Sequence, residues 1–99
     1  MTTILFERSG GFLGQDISIN LDLDALPSSE ALSLLHQIQQ SNFFRLPENL
    51  KAVTTSDEFV YTITVKSGST SHRVCTTDTG APESLRPLLN MLSTLAMVH

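Results

Sequence analysis

Residues 16–23 alternate strictly. Ile17, Ile19, Leu21 and Leu23 fall on one face, and Asp16, Ser18, Asn20 and Asp22 on the other. Period two with one polar face predicts an antiparallel strand wetted on one side. Thr3–Arg8 precedes it and is rich in β-branched and apolar residues, which predicts a first strand. The stretch between them, Ser9-Gly10-Gly11-Phe12-Leu13-Gly14, has three glycines in five positions and predicts the loop of a hairpin. The alternation returns at Glu58–Lys66, where Phe59, Tyr61, Ile63 and Val65 share a face. Ser67-Gly68-Ser69 then supplies a tight turn, and Thr70–Thr77 a fourth strand.

Two stretches change the period from two to 3.6. Leu26-Pro27-Ser28-Ser29-Glu30 offers a proline for a first helical position, hydroxyls for a cap and an acid for the first turn. Ala31, Leu34, Leu35 and Ile38 follow at i, i+3, i+4 and i+7, an apolar stripe that predicts a helix ending near Ser41-Asn42. Phe43, Phe44, Leu46 and Leu50, interrupted by Pro47, predict an apolar connector folded back over the core. Residues 51–57 are small and polar and predict a loop. After the turn cluster Asp78-Thr79-Gly80-Ala81-Pro82, the residues Leu85, Leu88, Leu89, Leu92 and Leu95 repeat at helical spacing. Ser84 fits as the cap of this second helix, with Pro87 in its first turn. Ala96–His99 are expected to fray.

The order is ββαββα, one ββα unit used twice without visible sequence identity between the halves. It predicts an α+β fold: a four-stranded, mainly antiparallel sheet with two helices packed on one face. The periodicity does not reveal the strand order. At 99 residues the chain is expected to form a single domain, 1–99, with one core and no large internal cavity.

Charge narrows the function classes. Six Lys and Arg against ten Asp and Glu give a net charge of −4. The cations, Arg8, Arg45, Lys51, Lys66, Arg73 and Arg86, are scattered, so no basic stripe exists to neutralise phosphates, and nucleic acid is not the expected partner. Adsorption to an anionic membrane is disfavoured for the same reason, and no run approaches the ~20 apolar residues of a membrane span. A charge of −4 is compatible with a soluble monomer when free. The opening residues lack a basic segment followed by an apolar one, and the single cysteine, Cys75, has no partner for an internal disulfide. A cytoplasmic location is the expectation.

No motif builds a catalytic or metal centre. His72 and Cys75 stand three apart on a strand and so point to opposite faces, and His36 has no acidic or histidine partner at i±4. Gly10-x-x-x-Gly14 lacks the Gly-Lys-Ser/Thr of a phosphate loop, and the Gly-x-Ser-x-Gly elbow of hydrolases is absent. The paired carboxylates Asp22/Asp24 and Asp57/Glu58 lie on polar strand faces or in loops and read as solubility charges. Neither cofactor nor metal is expected, and the chain does not read as an enzyme.

The glycine-rich loop admits two readings. It is a hairpin loop whose Phe12 and Leu13 fold onto the core, or a binding loop whose glycines let backbone approach a partner while Phe12 or Leu13 serves as anchor. At this point the ordered set of motifs resembles the emfourin family over roughly residues 4–92. The set comprises Arg8-Ser9-Gly10-Gly11-Phe12, Phe43-Phe44 with Leu46-Pro47, Phe59-x-Tyr61-x-Ile63-x-Val65, and Leu85-Arg86-Pro87-Leu88-Leu89. Cys75 and Ala96–His99 are not part of that pattern. Members of the emfourin family are small protein inhibitors of thermolysin-like zinc metalloproteases, often encoded beside a protealysin-like protease.

The resemblance implies a thermolysin-like zinc metalloprotease as partner, blocked without chemistry by the inhibitor. The residues expected to touch it are Ser9, Gly10, Gly11, Phe12, Leu13 and Gly14, with Arg8, Met1 and Thr2 added if they lie at the same edge. A reading from a different class stands beside it: a non-catalytic adaptor that binds through an open sheet edge.

Overall fold

The chain is built around the antiparallel pairing of β1 (Thr2–Gly10) with β4 (Phe59–Ser67), in register from Thr2↔Ser67 to Gly10↔Phe59. The structure, a computed structural model, describes residues 2–10, 16–50, 59–78 and 80–98. β2 (Ile17–Asp22) lies antiparallel on the outer side of β1, and β5 (Thr70–Thr77) antiparallel on the outer side of β4. Two hairpins thus meet through their first strands. Each is followed by a helix, α1 (Ser28–Gln40) and α2 (Arg86–Val98), as the repeated ββα order requires.

Among the described residues the sheet has five strands rather than the four expected. β3 (Asn49–Leu50) pairs parallel with β5, Asn49 opposite Cys75, giving the order β2-β1-β4-β5-β3 and a mixed sheet. After α1, Asn42 takes a left-handed conformation (φ 52°) that turns the chain back. A short 3₁₀ turn, Phe43–Arg45, carries it along the free side of β5. Pro47 costs nothing there because it precedes the bridge, and Cys75 N–H donates to Glu48 O at 2.8 Å. Two residues are too few for any periodicity to announce a strand. His72 fastens the same segment: its ring sits edge-on to Phe43 at 5.6 Å, and Nε2 lies 2.7 Å from Leu46 O.

One face of the sheet is apolar. Ile4, Phe6, Leu21, Tyr61, Ile63, Val65 and Val74 are buried on it and form one core with residues of both helices. α2 supplies Leu88, Leu89, Leu92 and Leu95, with Leu85 just before it, all buried as the spacing predicts. α1 supplies less: Leu34 and Ile38 are buried, Ala31 packs at the margin, and Leu35 is 37 % exposed beside the outward-facing Leu32. The buried α1 stripe is therefore narrower than its sequence suggests.

α2 begins after a turn in which Leu85 N–H donates to Pro82 O. Leu89 N–H then bonds Leu85 O, so Leu85 rather than Ser84 holds the cap position. The helix runs to Val98, and the Ala96 side chain packs against the core. No helix among the described residues is long and apolar enough to cross a membrane.

Candidate functional site

β1 presents Ile4, Phe6 and Arg8 on the core face in succession, because alternate residues of a strand share a side. Ile4 and Phe6 are fully buried, whereas Arg8 lies where the core gives way to the rim. Its guanidinium sits 4.4 Å from the centroid of the Phe59 ring. That stacking is worth about 0.5–2 kcal/mol depending on desolvation, and Arg8 Nε is buried without a hydrogen-bond partner among the described residues. Ser9 points to the opposite side and is exposed. Gly10 closes the strand opposite Phe59 with φ 86°, a conformation that a side chain would strain, so glycine is required where the chain leaves the sheet.

Beneath this strand end lies a clamp. Asp78, just past β5, accepts the Phe59 N–H at Oδ2 (3.2 Å) and the Tyr61 hydroxyl at Oδ1 (2.7 Å). Its own carbonyl accepts from Arg86 Nη2 at 3.1 Å. Tyr61 stacks on Phe6 (6.1 Å) and leans on Phe59 (6.3 Å). Burial, then the Asp78 hydrogen bond, then the Asp78 charge push the Tyr61 phenol from 10.0 up to about 12, against an opposing pull from Arg8 and Arg86. The turn beyond Asp78 is secured by Thr77, whose Oγ1 accepts from Gly80 N–H and whose carbonyl accepts from Ala81 N–H. The ends of β1 and β5 and the starts of β4 and α2 are thus joined at one rim.

Of the sequence-predicted residues, Arg8, Ser9 and Gly10 share this rim. Gly11, Phe12, Leu13 and Gly14, and Met1 at the terminus, lie outside the described residues. Thr2 does not join the others. It pairs with Ser67, its Oγ1 3.2 Å from Ser67 Oγ, at the opposite end of β1. Six residues of strand at ~3.3 Å each separate it from Arg8 by roughly 20 Å, so the single edge expected for Thr2 and Arg8 does not exist.

Phe59, Tyr61, Asp78 and Arg86 do not stand out in the sequence as site residues. The alternation of β4 places Phe59 and Tyr61 on one face but names no partner, and an aspartate in a turn cluster reads as a turn former. Of the paired carboxylates, Asp22 has a structural role, since its side chain accepts Asp24 N–H at 3.0 Å and caps the 3₁₀ turn Leu23–Ala25. Asp57 and Glu58 lie outside the described residues. His72 and Cys75 point to opposite faces, and among the described residues no three His, Cys, Asp or Glu gather into a potential metal site.

Fold and rim define a small α+β domain that offers a braced strand end rather than a pocket around a reactive group among the described residues. The chain belongs to the Emfourin family, whose model matches residues 6–93. Membership places it among inhibitor domains, with a protease as the partner in general terms. Neither a curated protein nor a solved structure matches the chain.

Proposed function

We propose that this chain inhibits a thermolysin-like zinc metalloprotease of the protealysin type by lodging the end of β1, and the residues that follow it, in the active-site cleft. The observation that carries the reading is the family match over residues 6–93, joined to a strand end at Arg8–Gly10 that is supported from below. Phe12, or Leu13 beside it, fills the hydrophobic subsite next to the scissile bond. Ser9, Gly10, Gly11 and Gly14 carry no bulky side chain and admit close backbone approach. Arg8 borders the contact. Thr2, at the opposite end of β1, is left out of this surface.

A standard interface buries about 1,600 Å², more than six loop residues supply, so neighbouring rim residues take part. Inhibition is by occlusion. Ser9, Asp16 and the backbone carbonyls near the loop are not favoured soft ligands for zinc. The chain acts as one domain, 1–99, monomeric when free, and resides in the cytoplasm, where it protects the producing cell from its own protease.

Occlusion is tested by competition. A small zinc-directed inhibitor of the protease should raise the apparent inhibition constant of the protein linearly with its own concentration, without a plateau. Independent, additive inhibition would contradict the proposal. The adaptor reading draws on β2, a six-residue strand whose outer side has no partner strand among the described residues. An adaptor would leave protease turnover unchanged, or be cut itself, at equimolar ratio.

A further inference from the structure

We infer that Asp78 is a positioning residue: through the Phe59 amide and the Tyr61 hydroxyl it fixes the end of β1 from which the protease is contacted. The inference rests on the inhibitor reading above and names a residue that the reading does not contain.

The path is short. Asp78 Oδ2 holds the first backbone N–H of β4, that of Phe59, at 3.2 Å. Phe59 is the register partner of Gly10, the last residue of β1, and its ring carries the Arg8 guanidinium at 4.4 Å. The second carboxylate oxygen holds Tyr61, which is the register partner of Arg8 and packs against Phe6. Arg8, Phe59, Tyr61 and Gly10 are thus each one contact or one strand pairing from a clamp that holds the first residue of β4. Asp78 is held in turn from the far side, where Arg86 donates to its carbonyl.

A strand end is the weakest part of a sheet, since it is paired on one side of its length only and frays first. Here that end is Ser9–Gly10, the part of β1 next to the proposed contact. Tying it to β5 and α2 lowers the ordering cost on binding, which is how preorganisation raises affinity without adding a contact. The carboxylate therefore acts on inhibition without touching the protease.

Two measurements on the full chain test this, one with the protease and one without. Asp78→Ala removes both acceptors, and Asp78→Asn keeps one acceptor and a similar shape while removing the charge. Leu95→Ala is the control, a core truncation at the far part of α2 that destabilises without touching the rim. All are compared well below their melting temperatures, where each is fully folded. Asp78→Ala should raise the inhibition constant by about tenfold or more, Asp78→Asn by less, and Leu95→Ala should leave it within about twofold of wild type. In the free protein, Asp78→Ala should speed amide hydrogen exchange at Ser9, Gly10 and Phe59 more than at Ile4 and Ile63.

Unchanged exchange at those three amides, or an inhibition constant for Asp78→Ala within about twofold of wild type or matched by Leu95→Ala, overturns the inference. A wild-type chain that inhibits no thermolysin-like protease, while the exchange pattern responds as described, overturns the inhibitor reading instead. Asp78 would then stand as the clamp of the strand end alone.

Discussion

Tyr61 donates its hydroxyl to Asp78 Oδ1 across 2.7 Å, joining residues 17 apart in the chain where β4 begins and β5 ends. Tyr61 is the only tyrosine, so its ionisation can be followed by ultraviolet absorbance in the unmodified protein. Burial and Asp78 raise its pKa from 10.0 to about 12. A raised pKa means the folded state favours the neutral phenol. That stabilisation is complete below the ordinary value of 10.0 and is lost as pH climbs towards about 12. The denaturation midpoint of the wild type should therefore fall more steeply across that interval than that of Tyr61→Phe, which has nothing to ionise there. Asp78→Asn should bring the phenol titration back towards its ordinary value, and parallel pH profiles for wild type and Tyr61→Phe would contradict the assignment.

The anchor of the proposed contact is Phe12. If it fills a hydrophobic subsite, Phe12→Ala should weaken inhibition by on the order of 2 kcal/mol, about thirtyfold. Gly11→Val should weaken it as well, by blocking close backbone approach. Inhibition constants of both variants within about threefold of wild type would remove the loop from the contact.

Gly10 and Gly68 separate conformational strain from recognition. Both have positive φ, 86° and 61°, but they lie at opposite ends of the sheet. A methyl group at Gly68 would meet no atom within 4 Å, so Gly68→Ala costs only the backbone strain, about 1 kcal/mol. Gly10→Ala should destabilise by a similar amount in denaturant unfolding. Only Gly10→Ala should also raise the inhibition constant. Equal effects of the two on inhibition would point to loss of folded protein rather than to the rim.

Zinc distinguishes occlusion from chelation. Excess zinc, at a level that leaves the protease itself unaffected, should not change inhibition. Relief of inhibition by zinc would mean that the inhibitor binds the metal directly.

Much of the architecture is legible in the pattern of residues, and the losses have physical causes. The alternation at Ile17–Leu23 and Phe59–Val65, and the 3.6-residue spacing from Leu85 to Leu95, locate the main strands and α2 because each writes its own period over several repeats. β3 is lost because Asn49–Leu50 is shorter than one repeat, and because a parallel bridge to Cys75 depends on where α1 returns the chain. Leu35 misleads because helical spacing reports which residues could face a core, whereas burial depends on what the tertiary fold packs against them. At the site, Arg8, Ser9 and Gly10 are legible as neighbours in the chain, while Thr2 is misplaced because a nine-residue strand carries its two ends apart. The clamp is illegible: Asp78 reaches Phe59 and Tyr61 only after β4 and β5 have paired, and no local pattern encodes a contact across 17 or 19 residues.

Inhibition itself is tested by titrating the protein against a thermolysin-like protease and, in parallel, against an unrelated zinc protease. Turnover of the first should fall to near zero around equimolar inhibitor, and turnover of the second should stay flat. A flat response with both enzymes, or equal inhibition of both, would contradict the proposed function.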